Sequence, residues 1–179
     1  MLTSTTKILA IPGSLRTGSS NHVILRHLAG LVPAGIEYTI YNDLAQIQPF
    51  DPGLDNDNPP ASVTTLRQLL ADASGIVICT PEYAFGIPGQ LKNMLDWMVS
   101  SSSFVDKPIC LITASSVGTH AHAALLLTLG ALSANVIEGA DLLIPFIRAK
   151  MDADGNVVDE ETVNNLEKAL NTFIKVLTI

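Results

Sequence analysis

The sequence has few cysteines and few basic residues. Its two cysteines, Cys79 and Cys110, stand in apolar β-branched runs without metal-ligand or redox spacing, so we expect both to be buried core residues. Seventeen Asp and Glu residues outnumber ten Lys and Arg residues, which gives a formal net charge of −7. So acidic a chain is not expected to bind nucleic acid or an anionic membrane surface. Any anionic ligand would therefore need a local site.

Long apolar segments are also missing. The most apolar stretch, 121–134, is too short to span a membrane and is soon followed by acidic residues. Residues 1–7 lack the apolar region and cleavage site of a signal peptide. The acidic stretch 51–60 lacks the spacing of a calcium-binding loop, and no metal site is predicted. We expect a cytoplasmic protein with reduced thiols.

Short apolar runs alternate with helical patterns along the whole chain. The predicted strands cover 7–11, 37–41, 75–79, 108–113 and 136–143, and the predicted helices cover 21–31, 61–71, 88–99, 120–134 and 160–176. Strands that are apolar throughout are typical of a parallel sheet covered on both faces. We therefore predict one domain over residues 1–179, an α/β three-layer sandwich of the flavodoxin-like type. For its five-stranded parallel sheet, with helices on both faces, we predict the order 2-1-3-4-5, which is one of the two common orders.

The loop after the first predicted strand, residues 13–21 (the first loop), has the composition of an anion site. Gly13 allows a sharp turn and a close approach to a ligand. Hydroxyl groups, an amide and a guanidinium follow at the start of a helix, where free N–H groups and the helix dipole favour a phosphate. Neither the dinucleotide fingerprint G-x-G-x-x-G nor the Walker pattern is present. Taken alone, the loop fits a monophosphate cradle or an ordinary turn with a serine cap.

The loop after the third predicted strand, residues 80–88 (the second loop), adds aromatic surface at the same edge of the sheet. Tyr83 and Phe85 follow Pro81, and Pro88 suits the first turn of the next helix. Because ligands bind beyond the carboxyl ends of parallel strands, both loops are expected to meet one ligand. A flat heteroaromatic compound with a phosphate tail would match them.

Together the two motifs carry a family resemblance. Gly-Ser-Leu-Arg-x-x-Ser-x-Asn from Gly13 and Pro-Glu-Tyr-x-x-x-x-Pro-Gly-x-Leu-Lys-Asn-x-Leu-Asp-Trp from Pro81 resemble the NAD(P)H-dependent FMN reductase family, which includes quinone, chromate and azo-dye reductases. The resemblance covers essentially the whole chain and implies one FMN-binding domain, with NADPH or NADH as co-substrate. It implies hydride transfer from NAD(P)H through bound FMN to a small molecule: a quinone, a metal oxyanion, an azo compound or free flavin. No side chain would act as a nucleophile.

The resemblance also implies which residues bind the cofactor. The first loop would hold the phosphate, the second loop would line the isoalloxazine ring, and residues 114–120 (the third loop) would border the ring's other edge. The predicted cofactor-binding residues are Ser14, Arg16, Ser19, Ser20, Asn21, Pro81, Glu82, Tyr83, Ala84, Phe85, Gly86 and Ser115. Backbone N–H groups near Glu82 and Tyr83 are expected to stabilise negative charge on the ring. The chain departs from the family pattern in its third loop, which is shorter and poorer in glycine, and at Ala84, where members often carry Asn.

Two other functions and an assembly state complete the expectations. The alternative function is a flavodoxin-like electron carrier without NAD(P)H activity of its own, and a third is a flavin-free module that binds another phosphate. The helical segment 121–132 is apolar almost all round, which predicts a homodimer or homotetramer. Trp97 lies off the apolar stripe of its helix and is expected to anchor the subunit contact.

Overall fold

The structure, a computed structural model, describes residues 5–178, in which strands and helices alternate. The prediction about a targeting segment at residues 1–7 falls mostly outside these residues. The strands are β1 (Thr6–Pro12), β2 (Ile36–Ile40), β3 (Gly75–Thr80), β4 (Pro108–Ala114) and β5 (Asn135–Ile144). The helices are α1 (Ser20–Leu31), α2 (Ala61–Asp72), α3 (Gly89–Asp96), α4 (Thr119–Ala131) and α5 (Glu160–Leu177). Two short 3₁₀ turns, Leu44–Gln46 and Ile147–Lys150, were not predicted.

The five strands form one parallel sheet in the order β2-β1-β3-β4-β5, which confirms the predicted topology. Alternate residues of the central strands point to opposite faces. Ile76 and Ile78 pack with α2, α3 and α4, whereas Val77 and Cys79 pack with α1 and α5. Both faces of β3 are therefore buried, which explains its unbroken apolar sequence. Cys79 and Cys110 are both buried free thiols, as expected.

The third helix is shorter than predicted, and this changes the position of Trp97. α3 ends at Asp96, and Trp97 is fully buried. Its indole N–H donates to the Gln48 carbonyl at 2.8 Å, and its ring meets Phe50 edge to face at 5.1 Å. The expectation that Trp97 anchors a subunit contact is therefore wrong, because its side chain is part of the core and is covered by the segment that follows β2.

None of the helices within residues 5–178 has the length and apolarity needed to cross a membrane.

Candidate functional site

A cavity of about 240 Å³ opens where β1, β3 and β4 end. Most of the predicted cofactor-binding residues line it: Ser14, Arg16, Ser19, Ser20, Asn21, Pro81, Glu82, Tyr83 and Ser115. The lining also includes Ala114 and Ser116 of the third loop, which was expected to border the ring, together with Ile147 and Arg148, which the sequence did not single out. The predicted residues Ala84, Phe85 and Gly86 are not part of this lining. Three loops that are distant in sequence thus share one space.

The first loop lies very close to the end of β3. The Gly13 N–H donates to the Cys79 carbonyl at 2.8 Å. A Cβ atom added at Gly13 would lie 2.1 Å from Thr80 Oγ1 and 2.6 Å from Thr80 Cβ. Only glycine fits this approach, because a side chain here would push the first loop away from β3.

The start of α1 presents unused hydrogen-bond donors to the cavity. Ser19 caps the helix by accepting a hydrogen bond from the His22 N–H at 3.3 Å. The N–H groups of Ser20 and Asn21 donate to no acceptor within residues 5–178. These groups carry the positive end of the helix dipole, so this part of the cavity suits an anion.

Asn21 adds a buried amide to the same end of the cavity. It is only 1% exposed, and its Oδ1 accepts a hydrogen bond from the Cys79 thiol at 3.4 Å. Burial, together with neighbouring Cys110, raises the pKa of Cys79 well above its usual value, so the thiol keeps the proton that it donates. The amide NH₂ has no acceptor within the described part of the chain and is left to the cavity. An amide fixed in this way fits a phosphate or a ribityl oxygen of FMN.

The second loop forms a tight hairpin turn at the mouth of the site. Tyr83 and Gly86 form an antiparallel bridge, and both residues between them have positive φ, 48° at Ala84 and 59° at Phe85. This is the geometry of a type I′ turn, which normally contains Asn or Gly. The positions expected to contact the ring are therefore held in a strained turn.

The hydrogen bonds of this turn show which N–H groups near Glu82 and Tyr83 remain available to a ligand. The Glu82 N–H donates to Ser115 Oγ at 3.1 Å, and the Tyr83 N–H donates to the Gly86 carbonyl at 3.1 Å. The N–H groups of Glu82 and Tyr83 themselves are thus engaged by the protein. The N–H groups of Ala84 and Phe85 donate to no acceptor in residues 5–178 and remain available to a ligand.

Glu82 connects the second loop to the third. Its Oε2 accepts hydrogen bonds from the N–H groups of His120 at 2.8 Å and Ala121 at 2.9 Å, in the first turn of α4. Gly118, which precedes that helix at φ 93°, supplies no capping side chain. The backbone bonds, led by the one from Ala121, hold the pKa of Glu82 below its usual value, so the carboxylate is ionised at neutral pH. Glu82 thus acts as the missing N-cap of α4.

Arg148 reaches the cavity because the segment after β5 is fastened to the third loop. Ile147 N–H donates to the Ser115 carbonyl and Phe146 N–H to the Ser116 carbonyl, each at 3.2 Å. The 3₁₀ turn that follows brings Arg148 to the same cavity as Arg16. The signal in the sequence was an arginine just beyond the carboxyl end of the fifth strand, the edge of the sheet where the site was expected.

Comparison with known proteins identifies the family. Residues 6–149 match the model of the family described as NADPH-dependent FMN reductase. The chain belongs to this family. The match covers most of the chain and both loops that carried the resemblance, so the prediction of the family is confirmed.

Individual relatives agree with this assignment. The chain is 33% identical over 175 residues to a quinone reductase from Escherichia coli K12, covering 93% of both chains. It is 32% identical over 174 residues to a 2-hydroxy-1,4-benzoquinone reductase from a Burkholderia species, covering 94% of this chain and 92% of the relative. Among solved structures, the flavoenzyme NAD(P)H:(acceptor) oxidoreductase FerB from Paracoccus denitrificans superposes with a TM-score of 0.76 at 24% identity, covering 96% and 97% of the two chains.

As a member of this family, the protein is an oxidoreductase, with FMN as its cofactor and NAD(P)H as its co-substrate. Two features fit that cofactor: the N–H groups at the start of α1 that have no acceptor within residues 5–178, and the first loop, whose close approach to β3 requires Gly13.

Within the described residues, no group of three or more His, Cys, Asp and Glu side chains could hold a metal ion.

Proposed function

We propose that the enzyme binds FMN in the 240 Å³ cavity and transfers reducing equivalents from NAD(P)H to a small quinone. The main support for this cofactor site is that the N–H groups of Ser20 and Asn21, which have no acceptor within residues 5–178, lie beside two arginines, Arg16 and Arg148. The quinone is favoured over a metal oxyanion, an azo compound or free flavin because two relatives are named for quinone reduction.

The phosphate end of the site would be formed by the first loop and Arg148. In a chain of net charge −7, these two arginines and the positive end of α1 supply the local charge that a phosphate needs. The hydroxyls of Ser14, Ser19 and Ser20 and the amide of Asn21 would supply neutral donors.

The ring end would be formed by the second and third loops. FMN, when bound, accepts a hydride from NAD(P)H and passes two electrons to an acceptor. The chain's part is to orient the ring and to offer the N–H groups of Ala84 and Phe85 to its polar edge. We expect the aromatic side chains of Tyr83, Phe85 and Phe146, which are 56%, 76% and 66% exposed, to form an apolar rim that a planar acceptor would cross.

The visible spectrum of the purified protein tests this proposal. We expect a flavin spectrum that bleaches on anaerobic addition of NADPH or NADH and recovers on addition of a benzoquinone. A flavin spectrum that neither nucleotide bleaches would favour the electron carrier, and a protein that takes up no FMN would refute the cofactor site.

The two arginines provide a test of the phosphate end. Arg16→Ala and Arg148→Ala should each weaken FMN binding but leave riboflavin binding unchanged, because only FMN has the phosphate. A hydrogen bond to a charged group is worth about 1.5–3 kcal/mol, or roughly tenfold or more in Kd. Both arginines are exposed, so we expect the lower end of that range. Lys168→Ala, which removes an exposed cation of α5, is the control. Equal losses for FMN and riboflavin would contradict a phosphate contact.

We also propose a homodimer formed through the α3–α4 face. Val99 and Leu127 are 68% and 78% exposed there, beside a groove of about 320 Å³ that Leu95 and Leu132 also line. A second copy of the chain would cover this surface.

The reliance on NAD(P)H and the reduced thiols fit the predicted cytoplasmic location.

A further inference from the structure

Ser19 has more hydrogen-bond partners than its single hydroxyl proton can serve. Its Oγ already accepts from the His22 N–H at 3.3 Å and lies 3.1 Å from His22 Nδ1. Ser19 also lines the cavity proposed for the FMN phosphate. A phosphate dianion accepts hydrogen bonds but has no proton to donate to Ser19. The hydroxyl proton can therefore go to the imidazole or to the phosphate, but not to both.

The state of Nδ1 decides between these two arrangements. When Nδ1 is bare, it accepts the Ser19 proton, and the hydroxyl has nothing to donate to the cavity. When Nδ1 carries a proton, the imidazole donates to Ser19 Oγ, and the hydroxyl is free to donate to the phosphate. The imidazole ring of His22 cannot rotate freely to exchange its two nitrogens, because His22 is only 8% exposed and lies beneath the first loop.

We propose, resting on the FMN site proposed above, that His22 is a positioning residue whose Nδ1 proton directs the Ser19 hydroxyl toward the cofactor phosphate. Binding of FMN then favours the form of His22 that is protonated on Nδ1. Riboflavin, which lacks the phosphate, does not.

An imidazole whose neutral form keeps its proton on Nε2 gains a proton on Nδ1 only when it ionises, so the proposed arrangement depends on pH. Burial first, and then the positive charge of Arg26 on the same helix, lower the pKa of His22, while the Arg16 carbonyl acts in the opposite direction. On the side facing away from the FMN cavity, His22 shares a second cavity of about 180 Å³ with Tyr41. Burial and neighbouring Asp43 raise the pKa of Tyr41, so this phenol stays neutral. Of these two groups, His22 is therefore the one that can gain a proton on the acidic side of neutral pH, below its ordinary pKa.

Affinity measurements from pH 8 down to pH 5, which extend below the ordinary pKa of histidine, give the first test. The ratio of riboflavin Kd to FMN Kd should rise by about fivefold more in the wild type than in His22→Asn, which is the worth of one net hydrogen bond. The Asn amide stands near the position of Nδ1 and can donate at every pH. The FMN phosphate itself loses charge near pH 6, but it does so equally with both proteins. His27→Asn, on the same helix, should retain the wild-type pH dependence.

The ring nitrogen resonances of ¹⁵N-histidine-labelled wild type give the second test and require no variant. The fraction of His22 with a protonated Nδ1 should rise when FMN is added and should not change with riboflavin. An unchanged Nδ1, or the same pH dependence in wild type and His22→Asn, would overturn the role of His22 while leaving the FMN site intact. A wild type that binds FMN no better than riboflavin would refute the proposed phosphate site and this inference with it.

Discussion

Removing the Glu82 carboxylate should loosen the link between the second loop and α4. The carboxylate accepts two backbone hydrogen bonds, at 2.8 Å from His120 and 2.9 Å from Ala121, in place of an N-cap side chain. Loss of an N-cap side chain costs about 0.5–2 kcal/mol, and a negative charge at a helix N-terminus contributes about 0.3–1 kcal/mol. We therefore expect Glu82→Ala to lower the free energy of unfolding by about 1–2 kcal/mol. Glu82→Gln, whose amide oxygen still accepts, should lower it by about 0.5 kcal/mol.

Urea unfolding at a series of pH values measures both the size and the sign of this effect. The backbone bonds, with Ala121 first, hold the pKa of Glu82 in the folded protein below its unfolded value. The carboxylate's contribution is therefore complete above the unfolded pKa and disappears as the pH falls through the folded pKa. The wild type should lose its advantage over Glu82→Gln in that acidic range. Glu167→Gln, in the interior of α5, should change stability little at any pH. A Glu82→Ala variant as stable as the wild type would refute the capping role.

Three further substitutions test the first loop, the second loop and the subunit contact. Gly13→Ala should lower the free energy of unfolding by about 1–3 kcal/mol or more, because its Cβ would come within 2.1 Å of the end of β3. Gly18→Ala, which meets nothing within 4 Å, should change it little, and equal effects in urea unfolding would contradict the close approach. Ala84→Asn should raise the melting temperature, since Asn tolerates the φ of 48° better than Ala by about 0.5–1 kcal/mol, and a lower melting temperature would contradict this. Leu127→Glu should shift sedimentation from dimer toward monomer, whereas Leu54→Glu, in an exposed loop, should not. A wild type that is monomeric at micromolar concentration would contradict the proposed dimer.

The sequence was informative wherever a feature depended on local pattern. Alternation of apolar runs and helical patterns predicted every strand and all five long helices, and the strand order that was predicted is one of the two common orders for such a sheet. Trp97 shows where this reasoning stops. Helical spacing placed it on an outer face, but the helix ends one residue earlier, and the chain that covers Trp97 comes from residues 48–50.

Features that depend on contacts between distant loops were not predictable. The partner of the Glu82 carboxylate is a helix start more than thirty residues away, and no spacing rule encodes such a pair. Arg148 was missed because its position depends on two backbone bonds between the third loop and the segment after β5. The turn at Ala84 and Phe85 was missed because its type normally requires Asn or Gly, and neither residue is present there.

The distribution of unused hydrogen-bond donors indicates how the two ends of the site differ. Around the ring end, the protein has already paired the Glu82 N–H with Ser115 and the Glu82 carboxylate with α4, while the N–H groups of Ala84 and Phe85 at the tip of the hairpin donate to no acceptor within residues 5–178. At the phosphate end, by contrast, the N–H groups of Ser20 and Asn21 and the Asn21 amide have no acceptor within residues 5–178. Binding selectivity should therefore come from the phosphate end, because a ligand without an anion forgoes the charge-assisted hydrogen bonds that those donors can make. The ring end, with an apolar rim and few directed donors, imposes little on the shape of an acceptor. The site should therefore select its cofactor strictly and accept a broad range of planar acceptors.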